Sequence, residues 1–319
     1  MTDVEHVFSI PLRTRFRGID VRQGTLIRGA AGWGEFSPFL EYDDDEVAPW
    51  WAAAIEAAET QWPPFVRNRV PVNATVPAVA PDEVAEILAA FPGCRTVKVK
   101  VAQTGQPPTA DQDRLRAVRD VLGPAGHIRI DVNGAWDLDV ARRLLPVYDR
   151  AAGGLEYAEQ PCASIDDLAA LRRHIDVPIA ADESIRRSDD PFRVAKLGAA
   201  DIAVLKVQPL GGVRACLRIA EDIGLPVVVS SALETSVGIA AGVALAAALP
   251  ELPYACGLAT ATLLVRDVVK KPVVPSDGTV PVSRPEPDPV AIAAVRADAA
   301  TAAWWQARAR RAARLAWPL

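Results

Sequence analysis

The chain has 319 residues, half of them hydrophobic and 24% charged, the balance of a globular protein with room for one large domain or two modest ones. A formal net charge of -5 argues against nucleic acid or an anionic membrane as partner. No apolar run reaches the roughly 20 residues that span a bilayer, and acidic residues precede the short apolar stretch at the N-terminus, so neither a membrane span nor a secretory signal is expected. Cys94, Cys162, Cys216 and Cys256 are widely spaced with no CxxC pair, which predicts reduced core cysteines in a cytoplasmic protein.

Residues 1–69 read as a small α+β unit. Short β-like runs at HVFSIPL and GTLIRGAAGWGEFSP are punctuated by Gly and Pro, and the alanine-rich EVAPWWAAAIEAAETQW predicts a helix closed by Pro63 and Pro64. From Val70 the pattern changes. The β-branched runs VPVNATVPAV, TVKVKVA, HIRIDVN, GLEYAEQP, PIAADES, IAVLKVQP, LPVVVSSA and PYACGL alternate with amphipathic segments such as DQDRLRAVRDVLG, DLDVARRLLPVY and DPFRVAKLG. That alternation predicts a (β/α) barrel over residues 70–271, with right-handed crossovers. An open doubly wound sheet would offer a Gly-rich phosphate loop after its first strand, and VNATVPAVAPDE is not one. Residues 272–319 leave the barrel pattern: a proline-rich stretch leads to a last helix with Trp304, Trp305, Arg308, Arg310, Arg311 and Arg314, expected to pack back on the N-terminal unit.

The chemistry concentrates at the C-terminal ends of the predicted strands, where barrels of this kind carry their sites. In TVKVKV the lysines Lys98 and Lys100 are two apart and share one face; Val97, Val99 and Val101 share the other and suit the helix layer. Both lysines then point into the barrel, where an ammonium is costly unless it meets carboxylates or substrate. The next three strands each end in a carboxylate: Asp131, Glu159 and Asp182. Three convergent carboxylates repel one another unless a cation compensates them. An all-oxygen set selects a hard divalent ion, magnesium or alternatively manganese. One unit later IAVLKVQP places Lys206 across the barrel from the first lysine pair.

This geometry suits abstraction of a weakly acidic proton next to a carboxylate. A bound metal stabilises the enediolate charge, and a lysine whose pKa is lowered by neighbouring positive charge accepts the proton. His6, His127 and His174 fall outside the predicted strand ends, which leaves lysine as the base. Around this centre, Arg129 shares the inward face with Asp131 and is a candidate partner for a second substrate carboxylate. Asn133 is placed to reach the metal or the substrate. Glu183 is expected to orient ligands or lysines from behind, and Glu156 to face outward. Ser230 and Ser231, before a helix start, form a candidate anion site.

These residues resemble the enolase superfamily, specifically its muconate-lactonizing-enzyme subgroup: Lys98-x-Lys100 on the second strand, Asp131, Glu159 and Asp182 on the third to fifth, Lys206 on the sixth, and GWGEFSPF in the N-terminal unit. The chemistry known for that superfamily, a lysine base working beside magnesium that stabilises an enediolate, is what the resemblance implies here. The resemblance covers nearly the whole chain. It implies a modified (β/α)7β barrel with an α+β capping domain built from both chain ends and closing over the substrate. Within the subgroup, TVKVKVA, RIDVNGAW, EYAEQP, ADES, LKVQPLGG, SSALETSVG and CGLAT are most similar to the branch that dehydrates a succinyl-substituted hydroxycyclohexadiene carboxylate. By that resemblance Lys100 takes the proton and assists departure of the hydroxyl. Lys206 stays charged, Lys98 tunes Lys100, and Ser230, Ser231 and Gly257 lie near the succinyl chain. The implied partner is a small dicarboxylate, with no protein partner.

The lysines alone do not choose between dehydration and racemization of N-acyl amino acids or dipeptides. Dipeptide epimerases of the subgroup usually carry Asp-x-Asp after the last strand, where this sequence has Gly257-Leu258-Ala259. The loops around Arg15 to Asp20 are short, so contacts from that side carry over poorly.

Overall fold

Two long runs near the N-terminus alternate apolar and polar residues, and both become strands. β1 (Val4–Phe16) and β2 (Ile19–Gly29) pair antiparallel, and β3 (Gly32–Phe36) adds to the far side of β2. The hairpin turn uses Arg17 at φ 51 and Gly18 at φ 78, a left-handed pair that matches the twist of the strands it joins. α1 (Asp44–Glu59) starts where the Asp43 carboxylate accepts the Glu46 amide at 2.9 Å, and lays Val47, Trp50, Trp51 and a row of alanines on the sheet. The computed structural model describes residues 4–187 and 191–316.

After the short β4 (Arg69–Pro71) the chain alternates strand and helix. The strands are β5 (Ala74–Val76), β6 (Thr96–Lys100), β7 (His127–Asp131), β8 (Tyr157–Glu159), β9 (Ile179–Ala181), β10 (Ile202–Leu205) and β11 (Val227–Val229), a seven-stranded parallel sheet in chain order. The helices are α2 (Val84–Ala89), α3 (Pro108–Leu122), α4 (Leu138–Ala152), α5 (Ile165–Arg172), the single turns α6 (Glu183–Arg186) and α7 (Arg193–Lys196), α8 (Val213–Asp222) and α9 (Ser236–Ala248). The segment DPFRVAKLG contributes only α7, and its first residue, Asp190, lies outside the described residues. The eighth stave is Cys256–Gly257. Cys256 bridges Val72 and Gly257 bridges Ser230, both parallel, which closes the sheet into a (β/α)7β barrel.

The tail returns to the N-terminal unit. β12 (Thr279–Pro281) pairs with β4, and after α10 (Pro289–Val295) the last helix α11 (Ala299–Ala316) lies on α1 and β1. Trp305 is fully buried beside Phe36, and its indole N–H reaches the Gln23 side chain at 3.2 Å. A tryptophan buried this way removes roughly 150–250 Å² from water, on the order of 5 kcal/mol before ordering costs. Arg308 donates to the carbonyls of Phe39 and Tyr42, and Arg311 pairs with Asp44, so part of the basic cluster is taken up inside the chain. Among the described residues no helix is long and apolar enough to cross a membrane. The four cysteines are unpaired, and all but Cys94 are buried.

Two carboxylates dock the N-terminal unit on the barrel by capping barrel helices. Glu56 of α1 accepts the amides of Val213 and Arg214 at the start of α8, and Glu35 of β3 accepts the amides of Thr235 and Gly238 at the start of α9. Gly212, at φ 123, leaves room for the Glu56 carboxylate; a Cβ there would stand 1.9 Å from it.

Candidate active site

Strand register builds the site. Lys100 is opposite Asp131, and Asp131 opposite Glu159, so three charged side chains stand in one row across β6, β7 and β8. Glu159 is opposite Ala180, which puts Asp182 just past the end of β9, and Lys206 follows the last residue of β10. Val97 and Val99 are fully buried on the opposite face from the lysines, as the alternation of TVKVK requires.

The row is knitted by ion pairs. Lys98 Nζ donates to both Glu159 oxygens at 3.0 Å and lies 3.5 Å from Asp131 Oδ2. Lys100 Nζ is 2.5 Å from Asp131 Oδ2 and 2.6 Å from Asn133 Oδ1. Lys206 Nζ donates to Asp182 Oδ2 at 2.6 Å, and Arg186 Nε to Asp182 Oδ1 at 2.9 Å. Glu183 accepts from Arg186 at 2.6 Å and from Asn133 Nδ2 at 3.2 Å. Four carboxylates (Asp131, Glu159, Asp182, Glu183) therefore face four nitrogen bases (Lys98, Lys100, Lys206, Arg186), each carboxylate in contact with at least one of them.

The two lysines of β6 are driven in opposite directions. Burial disfavours the charge of both. For Lys100, burial prevails: with help from Lys98 and against Asp131, it holds the amine below its ordinary pKa. For Lys98, Glu159 and Asp131 outweigh burial and hold the ammonium above its ordinary value. Asp131 stays far below the carboxylate range because Lys100 and Lys98 overcome its burial, and Asp182 falls to about 2 through Arg186 and Lys206. Glu159 goes the other way, pushed up to about 7 by burial and the nearby Asp131.

Among the described residues no three His, Cys, Asp or Glu side chains meet as a finished metal shell; the ammonium groups lie on the carboxylate oxygens. The donor set nevertheless fits a hard divalent cation: three fully buried carboxylates from neighbouring strands, with no thiol or imidazole among them. Glu159 is the member left least compensated, a condition that a cation relieves.

A cavity opens above this row. It is lined by Lys98, Lys100, Asp131, Asn133 and Lys206 from the barrel, by Ser230, Ser231 and Gly257 on one side, and by Phe16, Arg17 and Phe39 from the N-terminal unit. Ser231 Oγ is 2.7 Å from the Thr260 hydroxyl, and the Phe16 ring centre is 5.2 Å from Lys100 Nζ. Asn133 reaches Lys100 and, through its backbone amide, Asp131 Oδ1 at 3.1 Å.

Four residues at this mouth were not anticipated from the sequence. Arg186 lines the cavity and links Asp182 and Glu183 to the Tyr42 hydroxyl at 2.7 Å, and Arg17 reaches the same hydroxyl at 2.9 Å. Gln160, next to Glu159, accepts the Asp182 and Ser184 amides at 2.9 and 3.1 Å and so fixes the turn that carries Asp182. The only sequence signal was local: Arg186 is one helical turn beyond Asp182, and Gln160 adjoins a strand-end carboxylate.

Two expectations are corrected. Arg129 does face inward, but it lies at the opposite end of the barrel from the cavity. It is fully buried, its Nε pairs with Glu156, and Nη1 donates to the Ala255 carbonyl at 2.7 Å and to Asn73 Oδ1 at 3.3 Å. The face was right and the layer wrong, because two residues along a strand is roughly 6.6 Å. Glu156, expected to face outward, turns under the barrel to this arginine.

Comparison with known proteins agrees with the geometry. Residues 7–58 match the enolase N-terminal domain-like family and residues 82–287 the enolase C-terminal domain-like family. The chain is 64% identical to o-succinylbenzoate synthase of Thermobifida fusca, over 97% of this chain and 96% of the relative. It is 53% identical to the enzyme of the same name from Mycobacterium marinum, over 96% and 92%. Muconate lactonizing enzyme from Pseudomonas fluorescens shares the fold at a TM-score of 0.77 and 23% identity, over 93% of this chain and 100% of that one. Superfamily membership implies a divalent metal. The chain belongs to the enolase superfamily and, within it, to the o-succinylbenzoate synthase family.

Proposed function

We propose that the chain carries out the metal-dependent syn-dehydration of 2-succinyl-6-hydroxy-2,4-cyclohexadiene-1-carboxylate to o-succinylbenzoate, as a hydro-lyase of menaquinone biosynthesis. The observation that carries the mechanism is the contrast between Lys100, a buried amine held below its ordinary pKa, and Lys98, an ammonium locked on Glu159. Lys100 is the base. It takes the proton next to the ring carboxylate, and the C–H pair passes into an enediolate. The enediolate then expels the hydroxyl from the same face, Lys100 returns its proton to the leaving oxygen, and water departs. Lys206 donates to Asp182 and faces the developing negative charge from the other side.

Asp131, Glu159 and Asp182 would hold the divalent ion, magnesium or alternatively manganese. That ion supplies positive charge to the substrate carboxylate. With Lys100 neutral the protein groups leave about one negative charge, so a bound divalent ion would leave the cavity with surplus positive charge, which suits a small dicarboxylate. Ser230, Ser231 and Gly257 would line the succinyl side. The unpaired cysteines support a cytoplasmic setting.

The deciding assay follows aromatization of the cyclohexadiene substrate in ultraviolet light, with magnesium and with a chelator. Turnover should require the metal, and Lys100→Ala should lose at least about 10³-fold in kcat. Metal-independent turnover, or Lys100→Ala at the wild-type rate, would falsify the reading. Exchange of the α-proton of N-succinyl amino acids in deuterated water, without dehydration, would favour a racemase.

A further inference from the structure

We infer that Asn133 is a positioning residue that fixes the orientation of the Lys100 Nζ, so that the position that exchanges the substrate proton faces the cavity, and that Glu183 fixes which end of the Asn133 amide does so. The inference rests on the reading of Lys100 as the base.

Beyond its Cε, a lysine Nζ has three positions in tetrahedral array, each an N–H bond or, in the neutral amine, one of them the lone pair. Two acceptors meet Lys100 Nζ: Asp131 Oδ2 at 2.5 Å and Asn133 Oδ1 at 2.6 Å. They take two of the three positions through N–H bonds and leave the third, the one that exchanges the substrate proton, for the cavity that Lys100 lines. If only Asp131 were present, the amine could turn about its Cε–Nζ bond and present an N–H to the substrate instead. Asn133 removes that freedom.

Asn133 can do so only with its oxygen towards Lys100, and an amide has two ends. Glu183 decides between them. Its carboxylate accepts only, and its Oε1 receives Asn133 Nδ2 at 3.2 Å while Arg186 holds the same oxygen at 2.6 Å. Reversing the amide would set its oxygen against the Glu183 carboxylate and turn its NH2 on Lys100 Nζ, where it would repel an N–H or occupy the lone pair the base needs. The backbone is also pinned. Asn133 sits at φ 51, a left-handed conformation that asparagine tolerates, and its amide donates to Asp131 Oδ1 at 3.1 Å. The next amide, Gly134, donates to the Gln160 carbonyl at 2.7 Å.

The test is a double-mutant cycle on the magnesium-loaded enzyme. Asn133→Gly removes the side chain while glycine accepts the left-handed φ without steric cost; Glu183→Ala removes the anchor. Each variant and the pair are measured for kcat and KM, with magnesium affinity by calorimetry and Tm as controls. The expected result is a kcat loss of about 10–100-fold in Asn133→Gly, with KM and magnesium affinity within about threefold of wild type. Glu183→Ala should lose less, and nothing further in the Asn133→Gly background, because it acts through that amide. Wild-type kcat in Asn133→Gly, equal Glu183→Ala losses in both backgrounds, or a parallel loss of magnesium affinity would each overturn the inference. If Asn133→Gly does not fold, Glu183→Ala decides alone: a change in KM only, or none, overturns it. Lys100→Ala separates the two levels. An inactive Lys100→Ala beside a wild-type Asn133→Gly sinks only the inference, and an active Lys100→Ala sinks the base assignment itself.

Discussion

Replacing Arg129 by Met tests whether the two ends of this barrel do different jobs. Arg129 is fully buried, and its Nε pairs with Glu156, whose side chain keeps 18% exposure. The guanidinium also donates to Ala255 O and Asn73 Oδ1 and stacks 4.6 Å from the centre of the Tyr157 ring. Breaking a buried pair by removing one partner costs about 3–5 kcal/mol, since the other charge is left without compensation. Glu156 can recover some water through its exposed edge, and Met fills much of the vacated volume, so the low end applies, about 3 kcal/mol. Urea unfolding should show that loss, whereas KM for the cyclohexadiene substrate should stay within about twofold of wild type, because none of these contacts borders the cavity. A tenfold rise in KM with unchanged stability would refute the assignment and return Arg129 to substrate binding.

Glu35 predicts a pH dependence. Burial pushes its carboxyl from 4.5 up to about 7, against hydrogen bonds from Thr235 and Ser37. The folded state therefore keeps a proton that the unfolded chain releases above about pH 4.5. Stability from this group is complete below that pH and declines as pH rises to about 7, by at most roughly 3 kcal/mol. Urea unfolding of wild type and Glu35→Gln across that pH range reads the effect, and a difference between them that does not vary with pH would rule it out. Gly257→Ala probes the cavity wall, where a Cβ would stand 2.5 Å from Ser230 Oγ. KM should rise about tenfold with a smaller change in kcat, and an unchanged KM would remove Gly257 from the substrate side.

What was legible in the sequence was whatever a single strand encodes. The alternation in TVKVKVA fixes which way Lys98 and Lys100 point, and a carboxylate at the end of each following strand must arrive at the same mouth, because parallel strands bring their C-terminal ends together. Face, however, is a two-valued property, and depth along the barrel axis is not. Arg129 shares the face of Asp131 and stands one layer lower, where Asn73, Glu156 and Tyr254 surround it. Nothing within HIRIDVN announces that layer. Partners brought together by closure were equally silent: Tyr42 meets Arg186 across 144 residues, and Asn133 meets Glu183 across 50.

Backbone strain divides the barrel in the same way. Ala102, Asn133, Gln160 and Leu233 are non-glycine residues at φ between 40 and 64, and each lies just beyond a barrel strand at the mouth that holds the lysines. Each is clamped from outside the strand. Asp111 accepts the Ala102 amide, Gln160 spans to the Asp182 turn, and Arg22 of the N-terminal sheet donates to the Leu233 carbonyl. A left-handed residue costs on the order of 1 kcal/mol or more and persists only where its surroundings dictate it. Clustered at one mouth, these clamped turns keep Asp131, Glu159 and Asp182 together against their mutual repulsion. At the opposite end, closed by Arg129 and its tyrosines, no non-glycine residue leading into a barrel strand is left-handed among the described residues; Asp277, at φ 54, belongs to the turn before β12. That end supplies stability instead. An arginine two residues from a strand-end aspartate, on the same face, can therefore be structural.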